Sequence, residues 1–313
     1  MTPNLCRFPG IGIALQTGNA QRVRTRAIQG LVLAAAIAAS AMKVRALSTS
    51  GAVATMLIGA AVHAGMGARG SVAMVSYFAS ATALGRLPRS HSSEQRRGNR
   101  RDAVQVLANG GPPALFSLLH ARAAAPAKER AAVAFYGSLA AAAADTWATE
   151  VGTRFGGQPR SLATGKSAVP GDSGAITIAG LAASVVASSA MAQASRAGGA
   201  RHCERIVSCA AGGLAGSLAD SVLGAFMQEH RRCELCGART EMMVHSCGHH
   251  SRYLSGIRGV NNDVVNVLGV TVGGLAAAAL FAALPHLTGR NGSRVEFATT
   301  MTNSRSAKRA WQA

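Results

Sequence analysis

Long apolar stretches alternate along the chain with short segments of polar and basic residues. Each of the early stretches approaches the roughly 17–25 residues that a tilted helix needs to cross a bilayer. The stretches cover residues 27–42, 51–68, 70–85, 131–150, 175–191, 206–227 and 261–287. This pattern predicts an all-α fold, a polytopic integral membrane bundle of about seven transmembrane or re-entrant helices.

The same pattern divides the chain into three parts. Residues 1–28 form a basic N-terminal segment, residues 29–287 a membrane-embedded helical domain with a Cys/His insert at 229–258, and residues 288–313 a basic tail expected to be disordered. The N-terminal segment is typical of an organellar transit peptide, of a start site placed too far upstream, or of a cytoplasmic basic flank. We therefore expect a multi-pass protein of the cell membrane in a prokaryote, or of an organellar membrane if the segment is a transit peptide.

Composition supports a membrane location. Of the residues, 49% are hydrophobic and only 14% are charged, whereas an ordinary soluble domain carries about 25% charged residues. The formal net charge is +19, but the basic residues lie in short loops and tails between apolar runs. This distribution favours anionic membrane lipids, and not nucleic acid, as the partner of the positive charge.

Arginines are concentrated between the third and fourth apolar regions, at residues 86–101, where Glu94 is the single acid. The positive-inside bias would place this loop and the basic N-terminus together in the cytoplasm. Three spans between them would place them on opposite sides. Either one of the three runs is re-entrant, or the N-terminus is removed or lies outside.

The segment AAAAADTWATEVG, residues 140–152, interrupts an alanine run with polar side chains. A carboxylate in such a setting costs roughly 2.5–3.5 kcal/mol on insertion scales, so it usually faces a partner, an ion or a substrate. Asp145 and Thr149 share one helix face, but Asp145 and Glu150, five residues apart, do not point the same way. These acids are candidates for a site without being a ready-made clamp.

A second acid lies in a seam of small residues. Gly212, Gly216, Asp220 and Gly224 recur at four-residue spacing and fall on one helix face. Such a seam is first a helix-packing surface. An acid within it has few structural explanations, so we expect Asp220 to be functional, with Gln228 nearby.

The segment RRDAVQVLANGGPPALF, residues 100–116, leads into Pro112, where we expect the helix to break. It is either a cap at the membrane surface or a phosphate or metal corner. In the second interpretation Arg101 is the cation, Asp102 or Asn109 supplies an oxygen ligand, and Gly110 allows close backbone approach.

Two further segments carry polar candidates. The segment TGKSAVPGDSGAIT contains Lys166, Gly171, Ser173 and Gly174, and the N-terminus of a helix opened by Gly174 could hold an anion, although the Walker pattern is absent. The last apolar run begins with Asn262, Asp263 and Asn266. A helix cap explains an asparagine at the start of this run but not one a turn further in.

The insert contains Cys233 and Cys236 in a CxxC spacing, followed by His245 and Cys247. Two thiolates two residues apart grip one metal from a turn, and a second pair about ten residues on completes a tetrahedron. A structural zinc site, a redox or disulfide pair, and incidental cysteines all fit this spacing. An open catalytic zinc site fits less well, because the insert already offers a full set of ligands.

Five motifs in this order resemble the integral membrane family called domain of unknown function 92 (DUF92), which includes plant phytyl-phosphate kinase. They are RDAVQVLANGG, ADTWATEVG, the PGDSGAIT loop, ADSVLGAFMQ and NNDVVNVLGV. The resemblance covers about residues 30–285. The plant form lacks the Cys/His insert, so the resemblance implies nothing about zinc.

The resemblance implies transfer of a phosphoryl group from a nucleoside triphosphate to an isoprenoid monophosphate. The matching motif positions are Arg101, Asp102, Asn109, Gly110, Asp145, Thr149, Glu150, Gly171, Gly174, Asp220, Gln228, Asn262, Asp263 and Asn266. Where the family often has Glu-Ser, this chain has Asp220-Ser221, which keeps the carboxylate.

Such chemistry requires charge neutralisation more than covalent help, so we expect Mg²⁺ held by Asp145, Glu150 and Asp220. Arg101 and Lys166 would be phosphate cations, and the asparagines polar positioners. The lipid tail would lie in the seam of alanines and glycines. The main alternative is a transporter or channel, which also uses intramembrane acids and small-residue seams; a membrane scaffold would leave the acids unexplained.

Overall fold

The computed structural model describes residues 10–87, 100–196 and 201–287. It is an all-α bundle that carries a small β-sheet insert. Its helices are α1 (Gly10–Lys43), α2 (Thr49–Gly85), α3 (Ala103–Arg122), α4 (Ala127–Phe155), α5 (Ile178–Ala192), α6 (His202–Phe226) and α7 (Asn262–Leu287). Its strands are β1 (Arg160–Ser161), β2 (Ala175–Ile176), β3 (His230–Cys233), β4 (Arg239–Thr240) and β5 (Ser251–Ser255). The predictions about loop residues 88–99 and about the tail at 288–313 fall outside the described residues.

Five of these helices, α1, α2, α5, α6 and α7, are long and apolar enough to cross a membrane. The prediction of a polytopic all-α bundle is confirmed. Helix α4 is less apolar because it lies at the centre, where α2, α3, α5, α6 and α7 pack around it. Its residues Val133, Phe135 and Leu139 are fully buried. A helix that faces protein on all sides needs no lipid-facing surface, so alanine suffices there.

Helix α1 begins well before the expected start at residue 27 and includes most of the segment assigned to a basic N-terminus. The reason is that Arg22, Arg24 and Arg26 have good helix propensity, so the helix continues beyond the apolar run.

Helix α2 reverses direction at Gly67, whose φ of 63° and ψ of −158° are not helical. Nδ1 of His63 and Oγ of Ser71, on either side of the turn, are hydrogen-bonded at 2.9 Å, whereas residues eight apart in a straight helix are separated by about 12 Å. Both ends of α2 also lie beside one short segment, since Ser48 N–H donates to Arg101 O and Arg86 Nη2 donates to Val44 O. The two predicted runs at 51–68 and 70–85 are therefore antiparallel legs of one bent helix.

Three antiparallel legs thus connect the N-terminal end of α1 with the C-terminal end of α2 at Gly85. Gly30 of α1 lies against His63 near the turn of α2, and Ala41 of α1 packs in a cluster with Ala52 near the start of α2. Arg26 near the turn of α2 and the described residues Arg86 and Arg101 therefore lie at opposite ends of the bundle. The positive-inside bias cannot place both Arg26 and Arg86 in the cytoplasm.

Helix α3 differs from its prediction. It continues through Pro112 and Pro113 to Arg122, so the expected break at Pro112 is wrong. Proline has a helical φ, and inside a packed membrane bundle the loss of its N–H donor is tolerated.

The glycine seam of α6 is a helix-packing surface, as expected. A Cβ on Gly212 would lie 2.5 Å from Gly273 O of α7, and one on Gly216 would lie 2.5 Å from Ala141 Cβ of α4. Because α4 and α7 fill this seam, it has no room for a lipid tail. The expected location of the tail is wrong for that reason.

Candidate active site

A polar cavity of about 1070 Å³ opens at one end of the bundle. The polar motifs meet there because the helices alternate in direction. The cavity is lined by the start of α3, the end of α4, the loop before α5, the end of α6 and the start of α7. Motifs that are far apart in sequence thus reach one end of the bundle, since each lies at the terminus that faces it.

Most of the candidate residues from the sequence line this cavity. They are Arg101, Asn109, Asp145, Thr149, Glu150, Gly171, Ser173, Gly174, Asp220, Gln228, Asn262, Asp263 and Asn266.

Asp145 of α4 and Asp220 of α6 face each other within hydrogen-bonding reach. Tyr77 of α2 adds to this group, because its hydroxyl lies near the side chains of Thr146 and Arg101 and lines the same cavity. Two neighbouring carboxylates repel unless they share a proton or a cation. The pair of carboxylates is therefore suited to bind a cation inside the cavity.

Glu150 does not join this pair. Its side chain is buried and forms an ion pair with Arg154 on the next turn of α4. Arg154 also donates through Nη2 to Leu87 O at 3.0 Å, which fixes the end of α2 against α4. Among the described residues, no cluster of three acids with metal-ligand spacing forms around Asp145 and Asp220. The expected three-carboxylate magnesium site is thus reduced to two of its members.

Three other candidates have structural roles or lie elsewhere. Asp102 caps α3, since its Oδ1 accepts a hydrogen bond from Gln105 N at 3.0 Å and Gln105 Oε1 accepts one from Asp102 N at 3.3 Å. Gly110 makes room for Ile58 of α2, which lies 2.8 Å from where a Cβ would be. Lys166 is exposed in the loop between β1 and β2 and does not line the cavity.

The loop before α5 approaches the cavity differently from its prediction. Gly174 does not open a helix, because β2 follows it and α5 begins at Ile178 with Thr177 as the cap. Gly174 has a φ of 73°, and a Cβ there would meet Ala225 of α6 at 2.4 Å. The glycine therefore allows the loop to cross closely over the end of α6.

Gln228 is almost fully buried, and its amide nitrogen Nε2 has no hydrogen-bond partner among the described residues. A buried amide without a partner costs about 1–3 kcal/mol. Because Gln228 lines the cavity, this nitrogen is a donor available to a bound ligand.

The residues at the start of α7 have two different roles, since one caps the helix and others line the cavity. Asn261 is the cap, since its Oδ1 accepts a hydrogen bond from Val264 N at 3.0 Å. Asp263 is buried, and Asn266 lies one turn further in with its side chain at the cavity. The cap thus explains Asn261, and Asn262 and Asn266 remain site candidates.

An apolar groove adjoins the polar cavity. It lies between α1, the two legs of α2 and α3, and its walls include Leu33, Ile58 and Val75. Tyr77, Arg101, Gln105 and Asn109 line both the groove and the cavity. Leu33 and Val75 in its walls are partly exposed, so the groove is open to the outside of the bundle.

The Cys/His insert folds as a three-stranded antiparallel sheet in the order β4-β3-β5 between α6 and α7. Cys233, Cys236, His245 and Cys247 come together in it, with their ligand atoms within 4.8 Å of one another. The backbone N–H of Cys236, helped by that of Leu235, lowers the pKa of the Cys233 thiol to about 6. Cys233 therefore has thiolate character at neutral pH.

The model of the family described as integral membrane protein DUF92 matches residues 32–284. The chain belongs to the DUF92 family. Protein PGR of Arabidopsis thaliana is 26% identical over 271 residues, which cover 78% of this chain and 92% of PGR. The uncharacterized membrane protein MJ0933 of Methanocaldococcus jannaschii is 27% identical over 266 residues, which cover 83% of this chain and 96% of that protein. Protein VTE6, chloroplastic, of Arabidopsis thaliana is 26% identical over 246 residues, which cover 76% of this chain and 66% of VTE6. No solved structure matches the chain.

Tyr77 and Glu241 are among the cavity residues of this DUF92 protein that were not identified from the sequence. Tyr77 lies in an apolar run, where a single tyrosine is most simply explained as core. Glu241 lies in the insert, yet it accepts a hydrogen bond from Ser173 Oγ at 2.7 Å and interacts electrostatically with Asp220. An isolated tyrosine or a loop glutamate has no characteristic spacing in the sequence, so only the packing of the helices shows that these two residues line the cavity.

Proposed function

We propose that the protein transfers the terminal phosphoryl group of a nucleoside triphosphate to an isoprenoid monophosphate. The junction of the polar cavity with the apolar groove carries this proposal. Arg101, Gln105 and Asn109 lie at that junction and line both spaces. A substrate with an anionic head and an apolar chain fits it, with the phosphate at the Arg101 guanidinium and the chain along α1, α2 and α3.

The size and opening of the groove are consistent with an isoprenoid chain that stays in contact with the membrane. Its volume is about 80 Å³, so it encloses the part of the chain next to the phosphate. The sideways opening at Leu33 and Val75 leaves the rest of the chain in lipid. The substrate would therefore enter from the bilayer and not from water.

The cavity supports a nucleotide as the second substrate. Ligand pockets typically measure about 300–1,000 Å³, and this cavity of about 1070 Å³ has room for a nucleotide beside the phosphate of the acceptor. Arg45 and Arg86 lie along its walls and would bring positive charge to the triphosphate, whereas Arg231 is paired with Glu229. The buried Nε2 of Gln228 adds a neutral donor.

The facing carboxylates of Asp145 and Asp220 fit the binding of Mg²⁺, because a hard divalent cation takes carboxylate oxygens and relieves their repulsion. When bound, the ion would neutralise charge on the transferred phosphate group. Asp145 and Asp220 would hold it, and Glu150 would instead keep α4 in place through Arg154.

The reaction balances without a strong base. An oxygen of the acceptor monophosphate, already anionic at neutral pH, forms a bond to the γ-phosphorus as the bond to the β-phosphate oxygen breaks. The products are a nucleoside diphosphate and an isoprenoid diphosphate. The resemblance of the five sequence motifs to the DUF92 family implies the same reaction.

The direct test uses purified protein in detergent with Mg²⁺, CTP or ATP, and phytyl, farnesyl or geranylgeranyl monophosphate. We expect mass spectrometry to detect the corresponding diphosphate in at least one combination. Absence of product in every combination, from protein that is monodisperse and unfolds cooperatively on heating, would overturn the proposal. A solute flux assay in liposomes would then test the transporter alternative.

Blocking the groove is expected to weaken binding of the isoprenoid monophosphate but not binding of the nucleotide. A Val75→Trp substitution fills part of the groove that Arg101 also lines, and it should raise KM for the isoprenoid monophosphate about tenfold, which corresponds to about 1.4 kcal/mol of lost binding. KM for the nucleotide should not change. The matched control is Val72→Trp, since Val72 lies on the same leg of α2, is 66% exposed and does not line the groove. Equal effects of the two substitutions would place the chain elsewhere.

A further inference from the structure

The geometry points to a structural zinc ion bound by Cys233, Cys236, His245 and Cys247, which holds the insert in place as one wall of the polar cavity. The metal site stands independently of the reaction proposed above.

The first support is the arrangement of the four ligand atoms. Cys233 Sγ lies 3.4 Å from Cys247 Sγ, Cys236 Sγ lies 3.6 Å from His245 Nδ1, and His245 Nδ1 lies 3.1 Å from Cys247 Sγ. A zinc tetrahedron with zinc–sulfur bonds of about 2.3 Å has sulfur–sulfur edges of about 3.8 Å and slightly shorter sulfur–nitrogen edges. The four atoms are thus already spaced like the corners of such a site.

The second support is the turn that carries each ligand pair. Gly237 follows Cys236 with a φ of 69°, and its N–H donates to Cys233 O at 3.1 Å. Gly248 follows Cys247 with a φ of 83°, and its N–H donates to His245 O at 2.8 Å. Both turns therefore need glycine to reverse tightly behind the ligands. Two similar turns that face each other across one point are the architecture of a four-ligand metal knuckle.

Within the described range 201–287, the insert also has no apolar core of its own that would hold its strands together. The side chains that β3, β4, β5 and their turns bury are mostly polar or thiol groups, at His230, Cys233, Thr240, His245 and Ser251. Its larger apolar residues, including Leu235 and Met243, are exposed. A segment of this size without an apolar core is usually held by a metal or by disulfides.

A disulfide explains the cluster less well than a metal. The cysteines of the cluster are free, and a disulfide would leave His245 without a reason to contact both Cys236 and Cys247. A mixed set of three sulfurs and one imidazole nitrogen is a common structural zinc set.

The site has a consequence for the cavity because the insert contributes to its wall. Glu241, Met242 and Met243 follow β4 directly and line the cavity. Glu241 is joined to Ser173 of the opposite loop, and Ser251 N–H holds Met243 O at 2.9 Å. Zinc would fix the strands that position these residues, so its removal should loosen both the insert and the loop at Gly171–Gly174.

The test measures metal in the full-length protein purified in detergent. We expect elemental analysis to find one zinc per chain, and Cys233→Ser to lower bound zinc at least about tenfold after mild chelation. Cys203→Ser is the matched control, since Cys203 is an exposed thiol outside the cluster, and it should keep the zinc of the unsubstituted protein. Hydrogen exchange at residues 171–174 and 241–243 should rise when zinc is removed.

If Cys233→Ser fails to fold, His245→Cys gives a second test, because it keeps four ligands. With Co²⁺ in place of zinc, the unsubstituted protein should show the visible absorption of tetrahedral cobalt with thiolate ligands, and His245→Cys should intensify its sulfur charge-transfer bands. The proposal would be overturned by folded protein that lacks metal and shows no such absorption with Co²⁺. A disulfide within the cluster, found by mass spectrometry without reduction, or iron in place of zinc would also overturn it.

Discussion

Replacing Asp220 with asparagine is expected to lower phosphoryl transfer by a factor on the order of one hundred or more, the usual effect of losing one preorganised electrostatic group. The amide keeps the shape of the side chain but removes the charge that, with Asp145, would hold Mg²⁺. Asp145→Asn should have a similar effect. The double variant should be little worse than either single variant, because residues that act as a unit are not additive. The measurement is the turnover rate at saturating substrates, beside thermal unfolding in detergent.

The control for these variants is Glu129→Gln. Glu129 lies on the same helix as Asp145 but near its other end, where it forms an ion pair with Arg205. Partly exposed pairs of this kind contribute about 0–1 kcal/mol, so turnover should not change. Full activity in Asp220→Asn, with stability intact, would remove that acid from the site. A parallel loss in Glu129→Gln would show that the effect comes from the fold.

Replacing Arg101 with alanine is expected to raise KM for the isoprenoid monophosphate by about ten- to a hundredfold, since a charged hydrogen bond contributes about 1.5–3 kcal/mol. The Arg101 guanidinium lies 5.8 Å from the centre of the Phe78 ring and beside Tyr77, at the junction of groove and cavity. Arg101→Lys should recover only part of the loss, because lysine lacks the planar fork that binds two phosphate oxygens. Initial rates over a range of each substrate separate the effect on the isoprenoid from the effect on the nucleotide.

The neighbouring Arg100 provides the control, because it is exposed and does not line the cavity. Arg100→Ala should leave both KM values unchanged. The backbone hydrogen bonds of residue 101 with Ala46 and Ser48 are kept in Arg101→Ala, and thermal unfolding in detergent measures the effect of losing the side-chain contact with Phe78. An equal rise in KM for both substrates, or the same rise in Arg100→Ala, would show that Arg101 does not select the isoprenoid phosphate.

The position of the site follows from the topology of the bundle. The motifs lie at the start of α3, the end of α4, before α5, at the end of α6 and at the start of α7. In a bundle of antiparallel helices these termini fall at one end. The reversal at Gly67 adds the end of α2 to the same side, and with it Arg86. One end of the bundle thus collects the polar residues, while the apolar legs of α1 and α2 form the groove beside it.

The sequence by itself determined the features that depend on neighbouring residues. The lengths of the apolar runs predicted the membrane bundle, because a bilayer requires a minimum helix length. The four-residue spacing of Gly212 and Gly216 predicted a packing face, and the start of the last run was expected to contain a capping asparagine, which is Asn261. The spacing of Cys233 and Cys236 marked a metal-binding turn as one of its possibilities. In each case, local geometry sets the position of a side chain.

The tertiary structure alone decided which of these residues meet. Asp145 and Asp220 are far apart in sequence, and they face each other because α4 and α6 pack through the glycine seam. That same packing closed the seam to a lipid tail, and the proposed function therefore places the tail in the groove lined by Arg101. Glu150 was as strong a candidate as Asp145 in the sequence. Because it lies five residues further along α4, it points away from Asp220 and forms an ion pair with Arg154 instead. Helical periodicity fixes the direction of a side chain, but only the packing of helices fixes what it meets.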